Sequence, residues 1–173
     1  MCDVSCGSKT PGMVKKVLAW RREKPEEADA IWSDLHGANE SLARELKAMA
    51  EKQEFGLERL RACFTRIRQG IQLMSEKSGV PIEPLSQTKL IDACESVPGV
   101  VGGVVPGAGG YDAITLLIED KEDTIVELEK LLAGWEFKGE DVEGGGKVSI
   151  LGVREEMEGV KIGRVKDYEE WLR

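Results

Sequence analysis

Val100-Val101-Gly102-Gly103-Val104-Val105 runs into Pro106-Gly107-Ala108-Gly109-Gly110-Tyr111-Asp112, which runs into Ala113-Ile114-Thr115-Leu116-Leu117-Ile118. Two apolar, strand-like runs thus flank a loop with three glycines in four positions. Such a loop lacks the Cβ atoms that would hold an anion away from the backbone amides. In a dinucleotide fingerprint the glycines lie between a strand and a helix, so strand, glycines, strand is a different device. Spacing alone leaves two readings level: a phosphate cradle, or a tight strand connection whose glycines only accept positive φ.

Working outward, residues 85–97 read as a short helix with Leu90, Ile91 and Cys94 inward, stopped by Pro98-Gly99. Beyond the second strand, Asp120 is placed to cap a helix carrying Ile125, Leu128, Leu131 and Leu132. Residues 143–146 read as a loop, followed by strands near 148–153 and 160–162. Helix, strand, strand, helix, strand is half of a ferredoxin-like split β-α-β unit, an antiparallel sheet covered by helices on one face. The first 78 residues are helical. Thr10-Pro11 offers a hydroxyl at the cap and proline at the first helical position, and Met13, Val14, Val17, Leu18 and Arg21 then share a face. Pro25-Glu26-Glu27 opens a second helix with the stripe Ala28, Ile31, Trp32, Leu35, Ala38, Leu42, Leu46 and Met49. Leu57, Leu60, Phe64, Ile67, Ile71 and Met74 mark a third, expected to pair antiparallel with the second. The fold class is therefore α+β, a single domain over 1–173 with a helical part (1–78) and a ferredoxin-like part (79–173).

Composition bounds the function. At 173 residues the chain has the length of one domain, roughly 100–200 residues. Hydrophobic content of 41% and charged content of 32% suit a globular protein. The net charge of −8 lies wholly in residues 110–173, with 17 acidic and 9 basic side chains, so no field there attracts nucleic acid. Apolar runs are too short for a membrane span and no signal peptide stands at the start, which points to the cytoplasm. Cys2, Cys6, Cys63 and Cys94 read as reduced thiols, the last two buried on helices, because no second Cys or His pair completes a zinc site. The lone His36 reads as a helix-face residue, and Arg66, Arg68 and Gln69 as a solvated face.

The loop from Pro106 to Asp112, continued by Ala113, resembles the third conserved motif of the galactokinase, homoserine kinase, mevalonate kinase and phosphomevalonate kinase superfamily. Within it the phosphomevalonate kinase family is nearest. Cys6-Gly7-Ser8-Lys9-Thr10-Pro11-Gly12-Met13-Val14 and onward to Trp20 is similar to the segment that opens that family's helical half. Met74-Ser75, Ser78-Gly79-Val80-Pro81-Ile82-Glu83-Pro84 and Gln87-Thr88 are similar to it too, as are Val153-Arg154-Glu155-Glu156 and Glu158-Gly159-Val160. The matches run in order from about residue 3 to residue 160. Superfamily kinases hold the triphosphate on a Gly-x-Gly-Ser-Ser-Ala loop in their first half, and no Ser-Ser pair occurs in these 173 residues. The resemblance thus implies a C-terminal kinase domain whose N-terminal, nucleotide-binding half, with the catalytic aspartate, is absent, so that the chain alone is expected to be inactive.

What the resemblance implies is ATP-dependent phosphorylation of 5-phosphomevalonate to 5-diphosphomevalonate for isoprenoid and sterol synthesis, with ATP and Mg2+ bound mainly by the missing half. No catalytic or metal residue is expected within this chain. Gly107, Ala108, Gly109 and Gly110 are expected to border the phosphate, with Asp112 orienting the loop. Ser8, Lys9 and Thr10 are expected to help hold the phosphate of phosphomevalonate, because a helix start carries unpaired amides and about half a positive charge. The plainer reading of Thr10 is a cap worth about 1 kcal/mol. Two alternatives stand beside this one: another small-molecule kinase of the superfamily, or a catalytically silent ferredoxin-like module binding a ligand or protein.

Overall fold

A three-residue strand that the sequence pattern does not announce organises the sheet. The computed structural model describes residues 1–4, 10–51, 56–137, 147–152 and Gly159. Strand β1 (Cys2–Val4) is followed by helices α1 (Thr10–Glu23), α2 (Pro25–Ala50), α3 (Leu57–Ser78) and α4 (Leu85–Glu95). Strands β2 (Val100–Val104) and β3 (Ala113–Ile118), helix α5 (Glu122–Ala133) and strand β4 (Val148–Ile150) complete it. The sheet order is β2-β3-β1-β4, and every pair is antiparallel. β1 therefore lies at the centre, with Cys2 opposite both Ile114 and Ile150. The α+β class holds. The loop at 143–146 and the strand at 160–162 lie outside the described residues.

The helical half follows its periodicity. Pro25 stands at the start of α2 with Glu26 and Glu27 in the first turn, where acids complement the helix dipole. Leu35 packs against Gly70, and Glu45 meets Arg59, so α2 and α3 run antiparallel as the pattern required. Trp20, Ala28, Ile31 and Met74 form one core, and Trp20 stacks on Trp32 at 5.9 Å. Of the α2 stripe Ala28, Ile31 and Ala38 are buried, while Leu46 and Met49 at its far end are exposed. Likewise α1 leaves Val14 and Leu18 nearly half exposed.

The second core joins the sheet to α4 and α5 through Cys2, Val4, Leu90, Ile91, Cys94, Val100, Ile114, Leu128, Leu132 and Val148. Gly102 on β2 is required by close approach, since a Cβ there would lie 2.5 Å from Cγ of Phe64 on α3. Side chains cover part of the free edge of β2. Arg61 donates to the Val100 carbonyl at 3.2 Å, and Glu95 accepts the Gly103 amide at 3.1 Å. Ile82, in the link between α3 and α4, packs against both cores.

Four expectations change. The N-cap of α5 is Lys121, without a side-chain cap bond, rather than Asp120. Thr10 is already the first residue of α1 instead of its cap. Cys63 is half-buried, while Cys94 is buried as expected; Cys2, Cys63 and Cys94 are free. Arg68 is the largest departure, because it is buried rather than solvated. Its Nη2 lies 2.8 Å from Glu83 Oε1, and its Nη1 lies 2.7 Å from Asp92 and 3.3 Å from Glu95. Gln72 and Thr88 also donate to Glu83 Oε1, at 2.8 and 3.0 Å. Burial works against the Arg68 guanidinium, but hydrogen bonds to Glu83 and Asp92 and the charges of Glu83 and Glu95 more than offset it, so its pKa is raised.

Two outcomes follow from these environments. The Glu83 side chain has no exposed surface, whereas that of Asp92 is 58% exposed. Glu83→Ala leaves Arg68 buried with its closest buried partner gone and is expected to lower stability by about 3–5 kcal/mol. Asp92→Ala is expected to cost roughly 0–1 kcal/mol, both read from urea unfolding midpoints. Burial pushes the Cys94 thiol from its ordinary 9.0 up to about 12, helped by Cys2 and Glu95. Because the folded value is the higher, this contribution is complete below pH 9 and is lost as pH rises toward 12. Cys94→Ala is expected to flatten that alkaline fall in the unfolding midpoint.

Candidate functional site

The loop between β2 and β3 is shaped by where its amides go. Gly109 donates to the Pro106 carbonyl at 3.1 Å, closing a turn, and Gly110 donates to the Ile82 carbonyl at 2.8 Å. Gly109 has φ +74, and a Cβ there would collide with the Ile82 carbonyl oxygen and side chain. Only glycine satisfies both conditions. Gly107 also has positive φ, at +63, yet a Cβ at that position would meet nothing within 4 Å. Among the described residues the amides of Gly107 and Ala108 have no partner. The four positions thus divide: Gly109 and Gly110 anchor the loop inward, while Gly107 and Ala108 form its outward tip.

The far end of the loop is fixed to the sheet and to α4. The Asp112 carbonyl accepts the Val4 amide at 2.8 Å, and the Tyr111 carbonyl accepts Gln87 Nε2 at 2.8 Å. Asp112 therefore joins the loop to β1 through its backbone. Its carboxylate accepts no loop amide among the described residues.

A groove of about 240 Å³ brings the loop tip beside the first helix. Gly107 and Ala108 form one side and Met13, Val14, Val17 and Leu18 of α1 the other, over a floor that includes Trp32, Met74 and Ile82. Thr10 stands one turn before Met13, exposed at the start of α1, and no acid occupies that first turn. The first turn of α1 therefore keeps the positive end of the helix dipole without a neutralising acid of its own. The structure sets the tip of the glycine loop across the groove from Met13 to Leu18 of α1, and Thr10 is not among the residues that line it. Ser8 and Lys9 lie outside the described residues. The groove itself is apolar, so an anion would meet backbone amides at its rim and hydrocarbon at its floor.

Arg66 and Gln69 are exposed on α3, apart from this groove, where they border a second one of about 220 Å³ with Asp34 and Leu73. Residues that sequence reasoning missed are Ile82, Glu83 and Gln87, the partners that hold the loop. The signal available was their place in two stretches already set apart by resemblance. Among the described residues no three His, Cys, Asp or Glu side chains come together to hold a metal. No helix among them is long and apolar enough to cross a membrane.

No family model matches the sequence. The chain is 48% identical over 99% of its length to "Phosphomevalonate kinase erg8" of Aspergillus fumigatus, of which it covers 37%. It is 46% identical over 99% of its length to "Phosphomevalonate kinase ERG8" of Gibberella zeae, of which it covers 36%. "Phosphomevalonate kinase, peroxisomal" of Arabidopsis thaliana is 33% identical over 64% of the chain. Among solved structures, a Lin0012 protein from Listeria innocua superposes with a TM-score of 0.60 at 21% identity. That match covers 88% of this chain and 41% of the other, and it speaks for the fold alone. The chain thus spans 36–37% of the length of the two fungal relatives and, over nearly all of its own, is homologous to a part of phosphomevalonate kinase.

Proposed function

We propose that the protein provides the substrate-facing, C-terminal part of a phosphomevalonate kinase. The reaction is transfer of the γ-phosphoryl group of ATP to a phosphate oxygen of 5-phosphomevalonate, giving 5-diphosphomevalonate and ADP. The observation that carries this reading is identity of 48% extending over 99% of the chain to a protein of that name. The alternation of β1, helices, β2, β3, α5 and β4 in the order β2-β3-β1-β4 supports a ferredoxin-like split for the sheet.

In this reading the chain binds and orients. The amides of Gly107 and Ala108 and the start of α1 are fixed positive dipoles, and such dipoles stabilise charge on transferring phosphoryl groups without reorganising. Ser8, Lys9 and Thr10 hold the phosphate already on the substrate, and the apolar floor of the groove excludes water. Gly109, Gly110 and Asp112 keep the tip in place. ATP supplies the phosphoryl group, and Mg2+ neutralises its charge. Both are assigned to the remaining part of the kinase, which is also the partner for the exposed Val14 and Leu18. A cytoplasmic location agrees with the free thiols of Cys2, Cys63 and Cys94.

The test is steady-state kinetics of the complete kinase that contains this segment. Ser8→Ala with Thr10→Ala is expected to raise KM for phosphomevalonate tenfold or more and KM for ATP by less than twofold. The chain by itself, given ATP, Mg2+ and phosphomevalonate, is expected to release no ADP. Equal effects on the two KM values would remove the start of α1 from the substrate site, and turnover by the chain alone would overturn the division of labour.

A further inference from the structure

We infer that Gln87 and Arg68 are positioning residues for the glycine loop, gripping it at Gly110 and Tyr111 through two arms that meet at the Glu83 carboxylate. The inference rests on the reading that Gly107 and Ala108 meet a substrate phosphate. The first arm runs through the chain itself. Arg68 holds Glu83 with Nη2 at 2.8 Å and Nε at 3.2 Å. The next residue back, Ile82, accepts the Gly110 amide at 2.8 Å and leaves no room for a side chain on Gly109. The second arm runs through α4. Thr88 donates to the same Glu83 oxygen at 3.0 Å, and its neighbour Gln87 donates to the Tyr111 carbonyl at 2.8 Å. Consecutive loop residues are thus tied to one buried ion pair from two directions.

Packing alone does not explain these polar groups. Gln87 is fully buried, and among the described residues its Oε1 has no partner. Its amide therefore bears an unsatisfied acceptor in order to make one bond, and that bond is to the loop. Glu83 is similar, with Oε2 buried and unpartnered while Oε1 collects donors from Arg68, Gln72 and Thr88. A leucine at 87 would fill comparable space with no orphaned atom. The tip that needs fixing is glycine-rich and carries no anchoring bond from the Gly107 or Ala108 amide. Its direction is set by what holds the residues that follow it. Amides that stabilise a transferring phosphoryl group must be held within about 0.5 Å of their working geometry, which places a premium on such anchors.

The test uses the complete kinase with Gln87→Leu, Arg68→Met and Arg68→Lys, and reads both hydrogen exchange and kinetics. Exchange in the peptide covering residues 105–112 is expected to quicken tenfold or more in Gln87→Leu and Arg68→Met, with peptides from α2 unchanged in Gln87→Leu. The value of kcat is expected to fall tenfold or more while KM for ATP stays within twofold, and Arg68→Lys is expected to recover part of the loss. Where Arg68→Met fails to fold, Gln87→Leu carries the test. Ala108→Asp puts a negative charge at the tip without touching either arm, and it is expected to lower kcat/KM at least a hundredfold. Unchanged loop exchange in Gln87→Leu would overturn the positioning role whatever the kinetics. Normal turnover in Ala108→Asp would instead overturn the phosphate reading beneath it, and the role in the reaction with it.

Discussion

Arg68 and Glu83 form an ion pair with almost no contact with water, and three parts of the molecule meet on it. Taking two charges out of solvent is costly, and their attraction offsets that cost only when the remaining donors and acceptors are also satisfied. Here Gln72 from α3 and Thr88 from α4 complete Oε1 of the carboxylate and Asp92 and Glu95 of α4 flank the guanidinium, while Oε2 is left without a partner among the described residues. The pair therefore fixes α3, the link through Glu83 and α4 in one arrangement. An apolar replacement could supply as much stability, but it would not dictate the path of the link with the same specificity.

That path matters because of Ile82. Its side chain packs against the helical core and the sheet core alike, and its carbonyl holds the Gly110 amide. Glu95 extends the same network to β2 through the Gly103 amide. The glycine loop is thus closed on one side by the strands it connects and on the other by a segment whose position an internal charge pair sets. What remains outward is a two-residue tip across a groove from Met13 to Leu18 of α1. In the proposed reaction the fold's contribution is to hold that tip in a fixed direction over the groove.

Much of this was legible in the chain. The three long helices follow from stripes such as Leu60, Phe64, Ile67 and Met74, and α4 from Leu90, Ile91 and Cys94. The strands around the glycines followed from their β-branched runs. β1 was not legible, because Cys2-Asp3-Val4 is too short to carry a period and gains its meaning only by pairing with β3 and β4. Arg68 read as a surface cation because its burial depends on carboxylates 15 to 27 residues away. The glycine spacing marked the loop but not its division. Which amides face inward is decided by Ile82, and no local pattern connects residue 82 with residue 110.

The central claim is that Ile82 and the charge pair behind it turn Gly110 inward and leave Gly107 and Ala108 to meet phosphate. The most direct measurement is amide NMR of the complete kinase, labelled with 15N at glycine and alanine and titrated with phosphomevalonate. The expected result is large shifts at the Gly107 and Ala108 amides, with Gly110 moving little and exchanging slowly throughout. Saturation with substrate that leaves Gly107 and Ala108 unmoved would contradict the claim.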